Sequence, residues 1–155
     1  MKVSLLISIL VLSALTLLFG EEAKVWVSSV GPVNGWGVEL YANDADIKVA
    51  TGWSPESGYD LVTSAEIIAN ARRELVHRIG RNDEQVITFE EISWRNAGLS
   101  PHPRKLWFAT VFFIVGPAYR ADSINIKDGQ RLHAIYLLPN GAVLEERKVS
   151  VPVDQ

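Results

Sequence analysis

The chain has no cysteine. That absence excludes a disulfide framework, a thiolate metal site, a cysteine nucleophile and a lipid anchor on cysteine. Asn-x-Ser/Thr sequons are missing too, and histidine is scarce, at positions 77, 102 and 133 only. No two of these histidines have the spacing of zinc ligands, so no metal is expected. Charge of one sign is also lacking: 15 basic and 18 acidic residues are interspersed, for a net charge of -3. Without a basic stripe, nucleic acid is not an expected partner. Catalytic signatures fail in the same way. No Gly-x-Ser-x-Gly, P-loop, dinucleotide fingerprint or His-Glu-x-x-His is present, and no cofactor is expected.

What is present begins with a leader. Met1-Lys2 precedes an apolar run from Val3 to Gly20, a secretory signal or a retained membrane anchor rather than a core element. Small residues at both -3 and -1 are not found at its end, since Leu18 or Glu21 takes the -3 position. Lys2 favours a cytoplasmic N-terminus, which puts the rest of the chain outside in either case. The sequence thus divides into residues 1–20, signal or anchor, and residues 21–155, one globular domain of an exported protein. Periplasm, envelope or extracellular space is its expected location, and the missing cysteines and sequons suit a bacterial source. Any membrane contact is expected through residues 3–20 alone.

The strongest local signal is TSAEIIANARRELVHRIG, residues 63–80. Thr63 and Glu66 have the spacing of a capping box, and Val62 and Ile67 that of a hydrophobic staple. Gly80 is placed to end the helix, with Arg78 near its negative pole. Ile67, Ala71, Leu75, Ile68 and Ile79 fall within an arc of about 120°, which Ala65, Val76 and Ala69 widen to about 200°. One flat sheet covers only a narrower stripe, so the helix asks for a second cover. The N-terminal strands are the expected source, ahead of a partner subunit or a ligand pocket.

Strands fill most of the remainder. KVWVSSV (24–30) and WGVELYA (36–42) flank turn signals at Gly31-Pro32 and Asn34-Gly35. NDAD reads as a turn and IKVATGW (47–53) as a further strand. In VITFEEISWRN (86–96) the apolar parity changes between Phe89 and Ile92, which predicts a bulge at Glu90-Glu91. LWFATVFFIV (106–115) is apolar on both faces and is the expected central strand. Asp128-Gly129 and Asn140-Gly141 read as two-residue hairpin turns. The second would set Leu138 opposite Val143 and Tyr136 opposite Glu145, with His133 opposite Lys148.

This order predicts an α+β domain: one long helix packed on a curved antiparallel sheet, preceded by a short β region. Over residues 63–150 the order of elements resembles the cystatin-like roll, and the NTF2-like cone is similar. The likeness is one of element order. The cystatin inhibitory loop, Gln-x-Val-x-Gly, is absent, and folds of this kind host many functions.

Among acids, Asp44, Asp46, Glu90, Glu91, Asp122 and Glu145 are the candidate acid–base groups, and local context reads each as a turn or surface residue. Aromatics give the better lead. Trp36, Tyr41, Trp53 and Tyr59 cluster before the helix and are candidate ligand- or partner-binding residues, with core cover as the plain alternative. Arg72, inside the apolar arc, either lays its stem on apolar surface or pairs with Glu90, Glu91 or Glu145 at a pocket edge. The expected function is non-enzymatic: binding of an unknown protein or small ligand, or self-association as a homodimer. The alternatives are a small-ligand enzyme with an NTF2-like pocket and a protease-inhibitor-like module.

Overall fold

In the computed structural model, which describes residues 24–33, 36–80, 85–97, 106–117 and 131–150, the capped helix forms from Ser64 to Ile79. The Thr63 backbone N–H donates to Glu66 Oε2 at 2.8 Å, and the Glu66 N–H donates to Thr63 Oγ1 at 3.2 Å, closing the box. Gly80 ends it with a φ of 74°, where a side chain would be strained. This helix is α2.

A shorter helix precedes it. Asp44–Ala50 (α1) occupies the stretch expected to hold a turn and the start of a strand. The reason is local. Asp44 and Asp46 lie at the positive end of the helix dipole and Lys48 at the negative end. Asp44 and Lys48 pair at 2.5 Å across one turn. Ile47 and Ala50, three apart, are both buried, while Val49 is exposed. The alternation of Ile47 and Val49 imitates a strand, but the buried spacing is helical.

The strands are β1 (Lys24–Val33), β2 (Trp36–Asn43), β3 (Gln85–Asn96), β4 (Trp107–Pro117), β5 (Arg131–Leu137) and β6 (Glu145–Ser150). They make two three-stranded antiparallel sheets, ordered β1-β2-β6 and β3-β4-β5. The expectation of one long helix on a single curved sheet, and with it the cystatin-like or NTF2-like architecture, is therefore overturned. The described residues are mostly sheet, with helices of seven and sixteen residues among them.

The turn after β5 also departs from the expectation. Pro139, Asn140 and Gly141 form a three-residue loop, not the two-residue turn expected at Asn140-Gly141. The Gly141 N–H donates to the Leu138 carbonyl at 2.9 Å, so Pro139 and Asn140 are the central pair. Proline presets the backbone for the first of those positions. Gly141 then takes a positive φ of 83°, and a Cβ there would meet Asn70 Nδ2 at 2.8 Å. Leu137 accordingly faces Val143, one residue away from the expected register. After that bridge β6 leaves β5 and pairs with β2.

Both faces of β4 are covered, each by a different layer. Ala109, Val111, Phe113 and Val115 share a buried cluster with Ile67, Ala71 and Leu75 of α2 and with Ile135 and Leu137 of β5. The alternate face, through Phe108 with Tyr136 and Leu138, packs against Val27, Leu40 and Ala42 of the first sheet and Ile47 and Ala50 of α1. The N-terminal strands therefore cover the far side of the sheet and not the second side of α2, where Ala65 and Ala69 stay exposed. In β3 the register slips between Phe89 and Glu91, which keeps Ile87, Ile92 and Trp94 on the α2 side. The expected turn at Asp128-Gly129, the turn at Asn34-Gly35, His102, and the leader at 1–20 lie outside the described residues. Gly31-Pro32, expected as a turn, belongs to β1.

Candidate binding cleft

Two strands that leave a shared turn for different sheets must open a gap. Here the gap between β5 and β6 is a cleft of about 720 Å³. Leu75 and Arg78 of α2 contribute to its wall, His133, Ala134 and Ile135 of β5 to one side, and Glu145, Glu146 and Lys148 of β6 to the other, with Lys24 at the rim. A shallower hollow of about 480 Å³, lined by Asn70, Arg73 and His77, adjoins it and shares Glu74 and Val143.

Most charges in the cleft are matched within the protein. Arg78 Nε donates to Glu74 Oε1 at 2.7 Å, four residues back on the helix, and Arg78 Nη1 donates to Glu146 across the gap. Burial works against the Arg78 charge, but the hydrogen bonds it donates to Glu74 and Glu146, with their negative charges, outweigh burial and raise the pKa. Glu145 pairs with Lys24 at 2.7 Å and with Arg147 at 2.9 Å. Hydrogen bonds from Lys24 and then Arg147 lower its pKa. Burial, followed by the Arg131 charge, lowers that of His133. Lys148 makes no ion pair among the described residues. No group of three or more His, Asp or Glu with metal-binding placement occurs among them.

The residues singled out by sequence do not converge. Trp36 opens β2 opposite Ser150, and its side chain lies outside what the structure describes. Tyr41 donates to Glu39 at 2.8 Å under the Arg147 guanidinium, which sits 4.3 Å from the ring centroid. Trp53 is core: it is buried, its Nε1–H donates to the Tyr59 carbonyl at 2.8 Å, and its ring lies 4.6 Å from that of Trp94. Tyr59 is exposed. Arg72 is exposed and donates to the Ile87 carbonyl at 3.4 Å, not to a carboxylate.

The cleft residues themselves had only faint signals. Glu74 and Arg78 have the i, i+4 spacing of a helix ion pair, and Glu145-Glu146 follow a turn. Neither pattern tells that the two acids belong on opposite sides of one cleft.

The space between α2 and its sheet is filled by Ile67, Ala71, Leu75, Val111, Phe113 and Ile135, all buried. The cleft lies beside that packed layer. Among the described residues no helix is long and apolar enough to cross a membrane. No family model, curated protein or solved structure matches the chain.

Proposed function

We propose that the protein is an exported, non-enzymatic binding domain whose binding site is the cleft between β5 and β6. One observation carries the reading: the strands on either side of the Pro139–Gly141 turn diverge into separate sheets and leave a concave site of about 720 Å³ between them. Sites of this size suit a ligand or a segment of a partner. Its ionised groups support binding over catalysis, because Arg78, Glu74 and Glu146 are held against one another and Glu145 by Lys24 and Arg147. The apolar run at residues 3–20 supports export.

A fragment library of small amides and dipeptides, followed by amide chemical shifts of the full chain, tests the site. Shifts should gather on Leu75, Ala134 and Glu146 and vanish when Val143→Trp narrows the cleft. Hits that ignore Val143→Trp would place the binding surface elsewhere. Cell fractionation of the tagged chain tests export, and retention in the cytoplasm would end that part of the proposal.

A further inference from the structure

Sheet edges expose unpaired backbone groups, and proteins commonly guard them. The two outermost edges here are guarded. β3 carries a bulge with exposed Glu90 and Glu91 beside it. β1 has two register irregularities and contains Pro32, which has no N–H to offer. The two edges that face the cleft have no bulge and no proline among the described residues, and β5 carries fewer charges than β6. The β4–β5 and β2–β6 registers run without interruption.

The direction of the free groups follows from the turn. The Leu138 N–H donates to the Ala142 carbonyl, and the Tyr136 carbonyl accepts from the Leu144 N–H, both at 2.8 Å. Even-numbered residues of β5 thus turn their backbone groups toward β6, and the alternation of an antiparallel strand continues this to Ala134 and Leu132. Beyond Tyr136 no backbone hydrogen bond joins β5 to β6 among the described residues. Ala134 has only a methyl side chain, so another main chain can approach closely. Charge sorts the partner. The cleft carboxylates Glu74, Glu145 and Glu146 are already paired with Arg78, Lys24 and Arg147, whereas Lys148 has no ionic partner among the described residues, and exposed Arg131 begins β5.

We propose that the ligand of this cleft is an extended acidic peptide that adds as a strand to the edge of β5 that faces β6 and has no strand partner among the described residues. It runs antiparallel to β5, the better hydrogen-bonding arrangement. Main-chain bonds to Leu132 and Ala134 hold it, and its carboxylates lie toward Lys148 and Arg131. Strand addition of this kind draws affinity from the backbone and selectivity from alternate side chains. The proposal rests on the cleft being the binding site, and the following test separates the two.

The probe is a fluorescein-labelled octapeptide alternating Glu and Val, titrated against the full chain by fluorescence anisotropy. A Lys–Val octapeptide is the charge control, and two versions N-methylated at alternate residues, in opposite registers, are the backbone controls. The Glu–Val peptide should bind about tenfold more tightly than Lys–Val, with Lys148→Glu reducing the preference. One N-methyl register should weaken binding about tenfold and the other leave it unchanged, since only one set of donors faces β5. Ala134→Pro, which removes an outward N–H, should weaken it similarly, and the peptide controls on the unaltered chain serve if that variant misfolds. If both N-methyl registers bind equally while Val143→Trp abolishes binding, strand addition is wrong and the cleft reading stands. Peptide binding indifferent to Val143→Trp overturns the cleft reading itself. No binding by any of the four peptides overturns the strand proposal.

Discussion

Arg78 of α2 donates to Glu146 of β6 across the cleft while its Nε stays bonded to Glu74 on its own helix. One guanidinium therefore joins the helix layer of the second sheet to an edge strand of the first. All three side chains are partly exposed, at 30%, 27% and 21%, so solvent screens the attraction. Arg78→Met keeps much of the aliphatic stem and removes the link. It should cost about 1 kcal/mol in a denaturant titration, the upper end for a partly exposed pair. High salt should shrink the difference. A loss below about 0.3 kcal/mol would show that the bridge contributes nothing to stability.

The capping box gives a prediction with a pH sign. Thr63→Ala removes the acceptor for the Glu66 N–H and should cost about 1 kcal/mol near neutral pH. The Thr63 backbone N–H, and then its hydroxyl, lower the Glu66 pKa from the ordinary 4.5. A depressed folded value means that the stabilisation is complete above the unfolded pKa and is lost as pH falls through the folded one. Glu145 acts in the same direction through Lys24 and Arg147. Thermal melts should therefore fall as pH drops below about 4.5, and Glu66→Gln should lessen that fall. Equal acid sensitivity in the variant would remove Glu66 from the account.

Thr110 sits in the middle of β4, 1% exposed, and its Oγ1 has no hydrogen-bond partner among the described residues. A buried hydroxyl without a partner carries a desolvation cost that a methyl group of the same shape does not. Thr110→Val should raise stability by about 1 kcal/mol. A loss instead would mean that the hydroxyl is bonded in solution.

Trp53 tests whether the aromatic cluster is core or surface. Its contact with Trp94 at 4.6 Å should give an exciton couplet in circular dichroism, and Trp53→Phe should erase it. The same change leaves the Tyr59 carbonyl without its donor and should cost about 1–2 kcal/mol. A full couplet in Trp53→Phe would assign the signal to other tryptophans.

Features set by neighbours along the chain were legible in the sequence. The Thr63–Glu66 box and the bulge near Glu90 depend on residues a few positions apart, and both occur. The reading of Asp44–Ala50 failed because seven residues satisfy a strand alternation and a helical burial pattern almost equally well. The hairpin register failed by one because Pro139, preset for the first central turn position, outweighed the Asn140-Gly141 signal. The fold class failed on a longer scale. Which strand β6 joins is decided by pairing with residues about a hundred positions away, from Trp36 to Tyr41, and no local pattern encodes that choice. The cleft exists only because of it. Trp36, Tyr41, Trp53 and Tyr59 stand out by residue type and nearness along the chain and Arg72 by its place in the apolar arc of α2, whereas the cleft is assembled mostly from backbone edges and ordinary charged side chains.

The turn that separates β5 from β6 is held from two sides. Asn70 of α2 donates to the Gly141 carbonyl at 3.2 Å, and Asn140 Nδ2 reaches the Asp46 carboxylate of α1 at 3.3 Å. The closed end of the cleft is thereby tied to both helices at once, so the point from which β5 and β6 part is fixed by side chains that belong to neither strand.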